Sequence, residues 1–187
     1  MSRHPSKFAI GIVIAALLQS AALAWMVYDR VSLLKNGREV IVKSVPVDPR
    51  DLFRGDYVIL DYEISSLDLN KLEGDSSFST GQKIYVSLKQ GEDGFWHAVS
   101  VHATQQAPLA GEVSIRGKIF YLNDANQTVL TRYGVGKLFV PEGEGKVLEK
   151  IRNKERMQVV LAVSDNGTAA VKAIIADGKR VYEETLF

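Results

Sequence analysis

The sequence predicts a mainly β domain, a sandwich, barrel or rolled sheet with one or two short helices, behind a single N-terminal transmembrane helix. Three observations predict it. Phe8 to Tyr28 carries no charged residue. The rest of the chain is built of short β-branched runs punctuated by Gly, Asn and Asp. No long helical periodicity follows the apolar run. At 187 residues, 46% hydrophobic, the chain is long enough for one sizeable core.

Composition excludes several function classes. Lys plus Arg number 23 against 22 Asp plus Glu, a net charge of +1, and so balanced a chain offers no electrostatic footprint for nucleic acid. With no cysteine there are no disulfides, thiolate nucleophiles, iron–sulfur clusters or sulfur-ligated zinc sites.

Taken in order, residues 1–7 form a short tail with Arg3 and Lys7, expected on the cytoplasmic side. Residues 8–28 form the membrane span. As a helix the run is about 31 Å long at ~1.5 Å per residue, near the thickness of a bilayer's hydrocarbon core. Trp25 and Tyr28 stand at its far end, where amphipathic rings favour the interface. Ala22-Leu23-Ala24 also fits a signal-peptide cleavage site, but the apolar run is longer than such peptides use. The reading adopted is an uncleaved signal anchor in the inner membrane with the domain in the periplasm or outside. Arg30, Lys35, Arg38 and Lys43 follow the span, so the positive-inside count by itself argues the other way. Residues 29–37 read as a juxtamembrane linker ending at an Asn36-Gly37 turn, and residues 38–187 as the extracytoplasmic β-rich domain.

Within that domain the C-terminus is the clearest stretch. Gln158–Val163 and Ala169–Ile175 flank Asp165-Asn166-Gly167-Thr168, and Asp177-Gly178 precedes Arg180–Leu186. Asn-Gly and Asp-Gly supply the positive φ that tight hairpins need, so the three runs predict a β-meander. Further strands are expected over Glu39–Val45, Tyr57–Ile64, Lys83–Lys89, Phe95–His102, Glu112–Tyr121 and Thr128–Thr131. Helical turns are expected over Ser66–Leu72 and Gly143–Asn153.

Special residues are densest between Val45 and Tyr62, VPVDPRDLFRGDYVILDY. Asp48 is a helix cap, Pro49 suits the first helical position, and Asp51 lies three residues after the cap. Gly55 can end the turn in a left-handed conformation. Local structure thus accounts for Asp48, Pro49, Asp51 and Gly55. A functional reading would make Asp48, Asp51, Asp56 and Asp61 an oxygen-rich site, but Arg50 and Arg54 are interleaved with them and no EF-hand spacing is present.

The stretch Gly55-Asp56-Tyr57-Val58-Ile59-Leu60-Asp61-Tyr62 resembles the signature of the GDYxxLxY family of uncharacterised bacterial membrane-anchored proteins. Val45 to Arg54 is similar to that family too, as are Arg132-Tyr133-Gly134 and Phe139 to Gly145, with Glu142 among them. Tyr182-Glu183-Glu184 is a weaker match, and Val135-Gly136-Lys137-Leu138 departs from the more acidic, aromatic linker expected there. The resemblance implies an N-terminal anchor and an extracytoplasmic domain. It implies no activity and carries over no catalytic residue.

Other chemistry reads weakly. Pro49 to Asp56 is similar to a signal-peptidase strand lead-in but has one residue too many, and Ser44 lies too far back to be the nucleophile. His97 and His102 are an odd number apart on one expected strand, which sends them to opposite faces. Glu142-Gly143-Glu144-Gly145-Lys146 lacks the first glycine and the Ser or Thr of a phosphate loop. Phe95, Trp96, Tyr121 and Tyr133 could stack a sugar but suit cross-strand pairs equally. The expected function is therefore a non-enzymatic accessory or interaction protein of the bacterial envelope, without cofactor or metal. It would meet the membrane through Phe8–Tyr28 and another membrane or envelope protein through the motif residues Asp48, Pro49, Arg50, Asp51, Arg54, Gly55, Asp56, Tyr57, Leu60, Tyr62, Tyr133 and Glu142. The competing expectation is an envelope hydrolase or ligand-binding domain with its site around Asp48–Tyr62.

Overall fold

With no charge to interrupt it, the N-terminal apolar run forms one helix. In the computed structural model, which describes residues 7–45, 57–123, 125–139 and 157–184, α1 runs Lys7–Asn36. It is long and apolar enough to cross a membrane, and its apolar stretch is exposed. The helix does not stop where the apolar run does. Residues 29–36 continue it unbroken, and its last turns dock on the domain as Leu33 and Leu34 pack against Ala162 and Ala170. Gly37 then ends it, its amide donating to the Leu33 carbonyl at 2.9 Å. Contact is so close that a Cβ at Gly37 would stand 2.5 Å from that carbonyl and 3.1 Å from the Val163 amide.

Beyond the helix the described chain is mainly β, as its alternation predicts. One antiparallel sheet joins β1 (Arg38–Val45), β3 (Asp61–Tyr62), β11 (Met157–Val163), β12 (Ala169–Ala176) and β13 (Lys179–Glu183) in the order β13-β12-β11-β1-β3. The second joins β4 (Ser66–Asp68), β5 (Glu73–Gly74), β6 (Lys83–Gln90), β7 (Trp96–His102), β8 (Glu112–Asn123) and β9 (Thr128–Arg132) in the order β4-β9-β8-β6-β7-β5. A two-stranded ribbon pairs β2 (Tyr57–Ile59) with β10 (Lys137–Phe139). One apolar core spans both large sheets, with Val40, Val42, Ile84, Val86, Leu88, Ile115 and Leu161 fully buried.

The C-terminal meander is present, and its two turns differ. Across Ser164–Thr168 only Gly167 has positive φ, +80°. Gly167 N–H donates to the Ser164 carbonyl and Ser164 N–H to the Thr168 carbonyl, a three-residue loop with a left-handed glycine. Between the paired Ala176 and Lys179, Asp177 (φ 49°) and Gly178 (φ 76°) are both left-handed, the mirror-image two-residue turn.

Three expectations are corrected. Tyr57–Ile64 is not one strand: β2 pairs with β10, the chain changes partner at Leu60, β3 pairs with β1, and a 3-10 turn follows at Glu63–Ser65. Ser66–Leu72 is not helical, because Ser66–Asp68 pairs with Thr128–Leu130 and drives Leu67 into the core. Asp68 Oδ1 then accepts from the Asn70 amide at 3.1 Å, closing a local turn. Finally, a bulge where β6 pairs with β7, between Ser87 and Leu88, leaves Val99 unpaired and resets the alternation of β7. Trp96 and Val101 are therefore both core residues, and their neighbours His97 and His102 share the outer face, well apart along the strand.

Candidate interaction site

Of the twelve motif residues expected to matter, Asp48, Pro49, Arg50, Asp51, Arg54, Gly55, Asp56 and Glu142 lie outside the described residues, as does the helical turn expected over Gly143–Asn153. Tyr57 opens β2. Leu60, Tyr62 and Tyr133 are brought together, although residues 62 and 133 are far apart in sequence.

They are joined by a reciprocal arrangement. Tyr62 Oη donates to the Val135 carbonyl at 2.6 Å, and Tyr133 Oη donates to the Ile64 carbonyl at 2.6 Å. Each phenol thus reaches the carbonyl two residues beyond the other tyrosine. Between them the Leu60 amide donates to the Gly136 carbonyl at 3.0 Å. Leu60 and Tyr62 are each 3% exposed and Tyr133 is 7% exposed, so these groups sit in the core. Burial pushes both phenols well above the ordinary tyrosine range, and for Tyr62 the nearby Asp61 carboxylate adds to it. Neither can act as a base near neutral pH.

Room for the Tyr133 ring comes from Gly117 on β8. A side chain there would overlap the Thr131 methyl and stand 3.1 Å from the ring edge. A glycine inside an expected strand was the signal for this close approach, and it is absent from the expected site residues.

Above the two tyrosines lies an open cleft of ≈ 570 Å³. Its exposed rim includes Asp61, Phe120, Arg132 and Lys137. Phe120 is the unpaired residue of a bulge between β8 and β9 and is exposed, and the Arg132 guanidinium stacks on it at 4.3 Å from the ring centroid. Thr131 lines the same cleft, and its hydroxyl is buried without a hydrogen-bond partner among the described residues. The cleft thus offers an aromatic surface and both signs of charge. Phe120 follows the alternation that buries Gly117 and Ile119 and exposes Lys118, and it was not among the expected site residues.

Other constellations resolve as local structure. Ser44 is a buried β1 residue opposite Tyr62, which removes it as an exposed nucleophile. On the β6–β7 loop, Asp93 holds Lys43 at 3.1 Å and His97 Nε2 at 3.0 Å. Hydrogen bonds, first from His97 and then from Lys43, pull the Asp93 carboxyl down to about 2. Trp96 and Tyr133 are core residues while Tyr121 is half exposed, so the four aromatics considered for sugar stacking form no common platform. Among the described residues no three His, Asp or Glu side chains converge to hold a metal.

A family model described as GDYXXLXY protein matches residues 19–174, most of the chain. The chain belongs to the GDYXXLXY family. In this GDYXXLXY protein the match starts inside α1 and ends within β12, so it takes in the helix–domain junction, both tyrosines and the cleft, and leaves out Tyr182-Glu183-Glu184. No curated protein and no solved structure matches.

Proposed function

We propose that this GDYXXLXY protein is a single-pass anchored module of the bacterial inner membrane, its β domain on the periplasmic side, that binds another membrane or envelope protein and catalyses no reaction. One observation carries the reading. Leu60, Tyr62 and Tyr133 are consumed by folding, with both tyrosine hydroxyls committed to buried carbonyls, while the segments they lock together wall an open cleft with an exposed aromatic and charges of both signs. Arg stacked on an aromatic, ringed by polar groups, is the composition that protein interfaces favour at their centres. The test is a photo-crosslinking residue at Phe120 in the full-length chain in native membranes. A single protein adduct is expected from that position, absent from Leu109, an exposed control, and lost when Arg132 becomes Glu. Equal labelling from both positions would overturn the reading.

The competing reading, a ligand-binding or hydrolytic site near the motif, is favoured by the cleft itself, into whose wall Thr131 is built with its buried hydroxyl unpartnered among the described residues. A small envelope molecule that protects the chain from thermal unfolding, with protection lost in Thr131→Val, would promote it.

A further inference from the structure

Where α1 passes from its exposed stretch into the domain, one helical stripe changes partners. Leu23, Met26, Val27, Arg30, Val31 and Leu34 recur at helical spacing on one face. At its lower end Leu34 is buried on the domain; at its upper end Leu23, Met26 and Val27 are exposed. Between these limits Glu184 overhangs the helix, and the stripe becomes the floor of a groove of ≈ 380 Å³. The groove is apolar for most of its length and charged only at one end, where Arg30 and Glu184 face each other at 3.8 Å. That separation is long for a charge-assisted bond, which closes at about 2.7–2.9 Å. Glu184 is nonetheless fixed: its Oε2 accepts from Tyr182 Oη at 2.6 Å and its amide donates to the Lys172 carbonyl.

Depth decides what can fill such a groove. Leu23, Met26 and Val27 belong to the apolar run, so in a bilayer they lie among acyl chains, and Arg30 emerges about 3 Å beyond Tyr28 at ~1.5 Å per residue, in the headgroup layer. We propose that the groove is a lipid site that seats one phospholipid of the leaflet on the domain's side, an acyl chain along Leu23, Met26 and Val27 and a phosphoethanolamine head across Arg30 and Glu184. The phosphate faces the guanidinium, and the primary ammonium donates to Oε1 of Glu184, the oxygen that otherwise faces Arg30. The loose ion pair is thereby replaced by two charge-assisted contacts of complementary sign. A choline head presents no N–H to Glu184, and a glycerol head presents no cation, so the site selects among phospholipids. This inference rests on the anchor reading and on nothing about the cleft.

The experiment uses the full-length chain in nanodiscs of equal parts phosphatidylethanolamine, phosphatidylcholine and phosphatidylglycerol, followed by mild release and native mass spectrometry of retained lipid. One phosphatidylethanolamine per chain is expected, retained about tenfold better than the other two, as one charge-assisted contact warrants. Glu184→Gln and Arg30→Gln should each abolish the preference. Val27→Trp, which fills the groove and leaves both charges, should lower retention of all lipid. Far-ultraviolet circular dichroism of each variant separates lost lipid from lost fold. Equal retention of the three lipids, a preference for phosphatidylglycerol, or a second protein's helix crosslinked at Met26 in place of lipid would overturn the proposal. A chain that fails to enter nanodiscs would overturn the anchor itself.

Discussion

Tyr62 and Tyr133 each bury a ring and satisfy a carbonyl that would otherwise be stranded in the core. Replacing either by Phe keeps the ring and leaves one buried acceptor unpaired. Each variant should therefore lose about 1–3 kcal/mol of stability, and the double variant should depart from additivity because the two bonds clamp the same pair of segments. Denaturant unfolding of the four proteins checks both statements. The same residues set an alkaline limit. Their folded-state ionisation is raised, so their contribution is complete below the ordinary tyrosine value near 10 and is lost as pH climbs above it. Melting temperature should fall between pH 10 and 12 more steeply in the wild type than in the double Phe variant; equal slopes would refute it. The motif names both tyrosines in the sequence. Their reciprocity is not legible there, because it depends on how segments some 70 residues apart come together (69 and 73 residues across the two bonds).

At the scale of the element, the C-terminal hairpins were legible because Asn-Gly and Asp-Gly carry their own backbone chemistry. The kind of turn is a finer matter, and it leads to a comparison. Gly178 points into open space, so Gly178→Ala pays only the left-handed strain, roughly 1–2 kcal/mol. Gly167 has the same strain, but a Cβ there would stand 3.0 Å from the Arg116 amide, whose N–H donates to the Gly167 carbonyl at 2.8 Å. Gly167→Ala should therefore be the more damaging of the two, since it also loosens the turn from β8, and paired melting curves would show the order. Less legible were β4 and β10, three residues each, too short for an alternating pattern to declare itself. The bulges at Val99 and Phe120 escaped for a related reason: each is an extra residue forced by register with a neighbouring strand, which a single strand's sequence does not record.

For the molecule as a whole, mainly β behind one apolar helix was readable from hydropathy and turn residues, whereas the manner of their junction was not. Residues 29–37 look like a linker because charges return there, yet Leu33 and Leu34 face the small side chains of Ala162 and Ala170, and helix propensity carries the turn through. Gly37→Val should pry the helix from β11 while leaving the main core, which does not include Leu33 or Leu34, intact. Spin labels at Leu18 and Leu109 should then show a broadened distance distribution in nanodiscs, with near-ultraviolet or fluorescence melting of the domain little changed; an unaltered distribution would mean that the close contact at Gly37 is not what holds the helix in place. Such a junction makes helix and domain one stiff piece that turns together, not a body on a leash. Once the helix stands in a bilayer, the domain can turn about the membrane normal and drift laterally, but it cannot rise, bow or reach. Its cleft would sweep a ring at constant altitude, so only a neighbour presenting its own surface at that altitude could engage it, and the search would run in two dimensions.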